Sequence, residues 1–338
     1  MTAKDLEKAR RLLCRLEDSI RETILGARKT KRGQSFSSIA AVTASDTIYH
    51  IDRVGEEAIL AWFEKNWPRQ WPVELVMEGS DENQPVTFPH GATVSDTVWK
   101  CIMDPIDGTR SIMYDKRSAW ILAALAPQKD EKTMLSDVVV AAMSEIPTSK
   151  QWRADQISAV KGCGPKDIVA EMVDVFDNKR ARFRARPSRA TDFKHGFASL
   201  ARFFPEGKSL LAKLEEDLWD ELYGLGRDAT PLIFDDQYIC TGGQIYELLV
   251  GHDRMLGDLR PLVFQKLGFN TSVVCHPYDI CTSMILTEAG VVVEAPDGGT
   301  LDVKLDTISP VTWMGYANEH LARQVRPILK RLIKKHLS

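Results

Sequence analysis

Residues 102–111 read IMDPIDGTRS and close the strand-like run TVWKCIM, setting two aspartates three apart around a proline. Asp104 precedes Pro105, which disfavours helical backbone at the aspartate and holds the strand end extended, so its carboxylate can point off the sheet edge. Asp107-Gly108 then turns the chain sharply, which lets the second carboxylate converge on the first and leaves the Ile106 carbonyl between them. Three hard oxygens thus come from one short loop, the donor type that Mg²⁺ takes alongside water and phosphate oxygens. Proline, aspartate and glycine are equally the vocabulary of tight turns, so the decapeptide by itself also reads as a turn. The metal reading requires further carboxylates from elsewhere in the chain.

A core able to bury such a site is available. The chain has 338 residues, 44% of them hydrophobic and 27% charged, enough for one large domain or two modest ones. Forty-four basic against 47 acidic residues leave a net charge of −3, so the whole-chain footprint of a nucleic-acid polymer binder is absent. The six cysteines (Cys14, Cys101, Cys163, Cys240, Cys275, Cys281) form no C-x-x-C pair, and several lie in apolar runs, as in a reducing cytoplasm. The opening MTAKDLEKARRLLCRLEDSI is too charged for a signal peptide, and apolar stretches such as AWILAALAP are too short to span a bilayer. The expectation is a soluble cytoplasmic protein with no membrane partner.

Leu6, Leu13, Leu16, Ile20 and Ile24 recur at helical spacing, which predicts an amphipathic helix over 4–27. A second helix is expected over DRVGEEAILAWFEKNW, then a strand at VELVME (73–78) that ends on an acid, and strands at 96–103, 119–125 and 137–143. The basic run KRARFRARPSR reads as a strand or connector with a solvated charged face. Further helices are expected over 205–223, from Gly243 to Val250, and from Asp279 to Ala289, with Gly290 as its stop. Mixed elements of this kind describe an α+β chain, with an N-terminal subdomain over 1–190, a C-terminal one over 191–338, and a helical insertion near 197–235.

Two further acids suit the metal reading: Glu78, which ends its strand, and Asp279, whose place at a helix start is equally that of a capping residue. Together, DPIDGT at 104–109, Glu78, and the Asp279 helix running into TEAG resemble the inositol monophosphatase family of Mg²⁺-dependent, lithium-sensitive phosphatases. IYHIDRVGEEAI resembles that family's Asp-x-x-x-Glu helix start, with Asp52 as the matching aspartate, and GYANEHL resembles its closing strand and helix. The resemblance implies a layered sandwich of the sugar-phosphatase type, with alternating helix and sheet layers in two subdomains and two or three Mg²⁺ ions per site. It also implies a small phosphorylated substrate, and it is compatible with a homodimer. Residue by residue, it implies that Glu78, Asp104, the Ile106 carbonyl, Asp107 and Asp279 bind metal. Asp52 and Thr109 would orient the attacking water, while Gly108, Thr109 and Arg110 would meet the phosphate.

The chain also departs from the family pattern. Gly79 stands where a second acid is usual, Tyr278 replaces a tryptophan, and Ser272 occupies the position of a sugar-contacting glutamate. The substrate therefore stays open among phosphorylated polyols, sugars and nucleotides. A 3'(2'),5'-bisphosphate nucleotidase, a fructose-1,6-bisphosphatase and a catalytically silent binding protein of the same fold remain alternatives. PEGKS lacks the earlier glycine of a phosphate-binding loop, and no H-E-x-x-H or G-x-S-x-G occurs.

Overall fold

The computed structural model describes residues 1–30, 39–42, 47–80, 84–224, 226, 230–271 and 273–338; the side chains at 29–30, 39–42 and 47–54 lie outside that description, as does Ser272. In chain order the first half holds α1 (Ala3–Thr30), β1 (Ile39–Val42), β2 (Thr47–Tyr49), α2 (His50–Asn66), β3 (Val73–Met77), β4 (Val86–Phe88) and β5 (Trp99–Asp107). It continues through α3 (Thr109–Met113), β6 (Ala119–Pro127), β7 (Val140–Ile146), β8 (Arg153–Val160), β9 (Val169–Asp174) and β10 (Arg180–Phe183). Strands β3 to β10 form one sheet in the order β10-β9-β8-β7-β6-β5-β3-β4, antiparallel except for the β3–β5 pair.

The second half holds β11 (Gly196–Leu200), α4 (Lys208–Tyr223), β12 (Ile233–Phe234), α5 (Thr241–Val250), β13 (Asp253–Asp258) and α6 (Arg260–Leu267). It ends with α7 (Pro277–Ile280), α8 (Ser283–Ala289), β14 (Val292–Glu294), β15 (Trp313–Tyr316) and α9 (Glu319–His336). Its sheet runs β12-β11-β13-β15-β14 and mixes parallel with antiparallel pairs.

Alternation along β6 shows how the layers stack. Ile121, Ala123 and Leu125 face a core shared with Leu13, Leu16 and Ile20 of α1, whereas Trp120, Leu122 and Ala124 face a core shared with Ile245 of α5, Ile280 of α7 and Ile285 of α8. The smaller sheet contributes Leu256 and Trp313 to that second core. Its other face carries Leu200, Met255 and Met314 into a third core with α4, α6 and α9. The result is five layers: helices, sheet, helices, sheet, helices. A strand buried on both faces reads as a continuous apolar run, which is why AWILAALAP carries no sequence alternation.

The expected helices over 4–27 and 205–223 correspond to α1 and α4, and the leucine face of α4 (Leu211, Leu214, Leu218) packs with Leu321, Val325 and Leu329 of α9. The single helix expected over 279–289 is instead two, α7 and α8, interrupted at Cys281 and Thr282. β5 does not stop at 103 but runs through the acidic loop to Asp107. Among the described residues no helix is long and apolar enough to cross a membrane.

Candidate metal centre

Side chains three apart on a regular strand point to opposite faces. Asp104 and Asp107 escape that rule because Asp104 pairs with Leu122 and Asp107 with Trp120, three steps on β5 against two on β6. The extra residue is a bulge, and it turns both carboxylates to the face that Trp120 and Leu122 share, toward α5 and α7. The Asp104 carboxylate accepts the Ile106 N–H at 2.9 Å, and the Thr109 hydroxyl donates to the Ile106 carbonyl at 2.8 Å. Gly108 follows at φ +96°, where a side chain would be strained and a Cβ would sit 3.2 Å from Cys240 Cβ.

Opposite this loop stands the start of α5. The Gly242 N–H donates to Asp107 Oδ2. Only glycine permits that approach, since a Cβ there would lie 2.7 Å from Trp120 Cβ and 2.8 Å from Leu122 Cδ2. Asp279 arrives on α7. It is not the residue that begins the helix: His276 is the N-cap, Pro277 follows, and Asp279 is the third helical residue, accepting the His276 N–H at 2.6 Å. The Tyr278 hydroxyl lies 3.2 Å from His276 Nδ1, and the two rings stack with centroids 5.3 Å apart.

These elements bring one oxygen each from Asp104, Asp107 and Asp279 within 4.8 Å of one another, the one such group of three among the described residues. The acids line a cavity of about 140 Å³ together with Glu78, Ile106, Gly108, Thr109 and Arg110. Asp104 is 2% exposed and Asp107 7%. Burial pushes the Asp104 carboxyl well above its usual range, and the negative charges of Glu78, Asp107 and Asp279 push it further. Burial, then the charge of Asp107, does the same to Asp279. Asp107 is raised to about 7 by burial, held back by the amides of Gly242 and Thr241 and by Arg260. Acids crowded out of water in this way resist ionising together unless a cation joins them. The donors are hard carboxylate and carbonyl oxygens, so the residues fit a divalent ion of the Mg²⁺ type.

Asp52 falls in the first turns of α2, and its side chain is outside the described residues. Gly79 adopts φ +80°, so an acid at that position would be strained. The centre also includes groups that the sequence pattern does not mark as site residues. Arg260 is buried against it, with its guanidinium bonded to Asp258 and to the Val273 carbonyl. Charged residues after a strand read as solvated, and only the D-x-R spacing of 258–260 hinted at an internal pair. The Gly242 amide was hinted at by the paired glycines of TGGQ at a helix start.

Fold and cavity define a class: an α+β protein with two mixed sheets, in the layered arrangement of inositol monophosphatases and fructose-1,6-bisphosphatases, with a buried acidic group suited to metal. The particular likenesses span almost the whole chain. Extragenic suppressor protein suhB from Bartonella henselae matches with a TM-score of 0.62 at 16% identity, covering 96% of this chain and 98% of that one. Leishmania major fructose-1,6-bisphosphatase matches with a TM-score of 0.65 at 11% identity, covering 96% and 92%. Staphylococcal IMPase-I, solved in complex with products, matches with a TM-score of 0.60 at 13% identity, covering 97% and 96%. At such identities the likeness is one of fold. No family model and no curated protein matches the sequence.

Proposed function

We propose that the chain is a Mg²⁺-dependent phosphomonoesterase that hydrolyses a small phosphorylated polyol, sugar or nucleotide. The observation that carries this reading is the meeting of Asp104, Asp107 and Asp279 at one buried point from two separate halves of the chain. Their shared wall with Glu78 and Ile106 supplies the remaining donors of a two- or three-ion site. Divalent ions held there would supply Lewis-acid activation of water and neutralise the phosphate's charge. The Thr109 hydroxyl commits its single proton to the Ile106 carbonyl, so its oxygen acts as an acceptor that can orient a water. Asp52 shares that task. Gly108, Thr109 and Arg110 sit on the same wall and meet the phosphate. In the reaction, the water oxygen bonds to phosphorus as the ester P–O bond breaks, and the alcohol leaves carrying a proton. The six cysteines are unpaired, which supports a reducing, cytoplasmic setting.

Phosphate release across inositol, sugar and nucleotide phosphates, with and without Mg²⁺, tests the proposal. Mg²⁺-dependent turnover of at least one ester, inhibited by millimolar lithium, is expected. A folded protein inert toward the whole panel would favour a silent binding protein of the same fold.

A further inference from the structure

The lining of the acidic cavity also includes apolar side chains. Phe203 comes from the loop after β11, Ile239 from the segment before α5, and Val273 from the segment before α7, and all three line the same cavity as the acids. Ile239 is 40% and Val273 37% exposed, so both keep open apolar surface while lining the cavity. Three distant segments thus place aliphatic or aromatic groups at one opening, where solitary exposed apolar residues would be unremarkable but convergent ones mark a binding surface. Phe203 is also held. The Arg260 guanidinium lies 4.8 Å from its ring centroid, and Arg260 is fixed from behind by Asp258, bonded at 2.9 Å through Nε and 2.5 Å through Nη2. Asp258 fixes the guanidinium in place, so Arg260 backs the ring while its charge also acts on Asp107 and Asp279. Hydroxyls of a polyol leaving group set against these three side chains would lose water without gaining a partner from phenyl, sec-butyl or isopropyl surface.

We infer that the moiety esterified to phosphate carries a flat, apolar-faced ring, a nucleoside or an aryl group, seated against Phe203, Ile239 and Val273. The inference rests on the phosphomonoesterase reading and narrows it. Rings bury large apolar area with few rotatable bonds and stack on aromatic faces, which is what a preformed wall of this composition rewards. Arg260 is a positioning residue for that wall.

The test compares kcat/KM with Mg²⁺ for adenosine 3'-phosphate, 1-naphthyl phosphate, inositol 1-phosphate, fructose 1,6-bisphosphate and glycerol 2-phosphate. At least one of the two flat-ring esters should exceed all three polyol and sugar esters more than tenfold, and which of the two leads identifies the nucleoside or the aryl source. In Phe203→Ala and Ile239→Ser, the ratio of ring to polyol turnover should fall at least fivefold. A polyol preference in the wild type, or a ratio unmoved in both folded variants, overturns the inference while the phosphatase reading stands. Hydrolysis of none of the five esters overturns the phosphatase reading instead. Calorimetry then decides the inference separately: adenosine or 1-naphthol should bind more than tenfold tighter than inositol, and equal or weaker binding rejects it.

Discussion

Asp104, Asp107 and Asp279 are held together against their own repulsion, and that sets what a single substitution does. Asp107→Asn keeps the shape and an acceptor for Gly242 but removes one charge from the group. Mg²⁺-dependent hydrolysis should fall by about a thousandfold. The metal-free protein should melt no lower than wild type, because one of several mutually repelling buried carboxylates is gone. Near wild-type turnover in a normally melting Asp107→Asn protein would show that the site lies elsewhere. A second buried acid gives a pH prediction away from the centre. Asp253, 6% exposed at the start of β13, is raised to about 7 by burial and by the charges of Glu247 and Asp236. Its folded pKa is above its unfolded one, so its contribution is fully present below pH ~4 and is lost as pH rises to ~7. Asp253→Asn should therefore match wild type near pH 4 and exceed it at pH 8 by about 4 kcal/mol in denaturant unfolding. A variant less stable than wild type at pH 8 would refute the assignment.

At the scale of elements, the β5 bulge and the start of α5 define the centre. Gly242→Ala would push a methyl against Trp120 and Leu122. It should cost about 1–3 kcal/mol of stability, and, by moving the amide that bonds Asp107, weaken Mg²⁺ binding in calorimetry. Loss of stability with unchanged Mg²⁺ affinity would mean that the amide does not position the carboxylate. The parts of the site that were legible in sequence are those whose chemistry is local. Asp-Pro and Asp-Gly constrain their own backbone, so the loop at 104–109 could be read directly. The bulge could not, since it depends on the partner strand, and neither could Arg260 or Gly242, whose roles arise from segments distant in the chain. β8, β9, β11 and β13 were not anticipated for the same reason. β13 reads DRMLGD, where Asp253 and Asp258 look like solvated charges although both are buried. The break between α7 and α8 was hidden because one apolar face continues across it, with Ile280, Ile285 and Leu286 in the same core.

Across the whole molecule, the centre ties the large sheet, which supplies Asp104 and Asp107 on β5, to the middle helical layer, which supplies Asp279 on α7. That layer also packs against the smaller sheet through α5. An ion bound by both sides stabilises the contact between them, in addition to satisfying the acids. A ligand that binds only the folded state at a hundredfold excess over its Kd contributes about 2.7 kcal/mol. Mg²⁺ at that excess should raise the melting temperature by several degrees, and chelation should reverse the rise. Hydrogen exchange should slow in β5, in the first turn of α5 and around α7 together, because the ion couples all three. In Asp279→Asn, the β5 carboxylates keep their loop but lose their partner across the layer. Mg²⁺ should then slow exchange little in α7, and the thermal shift should shrink to less than half. Protection confined to β5 in the wild type, or a full thermal shift in Asp279→Asn, would mean that any ion rests on the loop alone and the layers are joined only by their apolar cores.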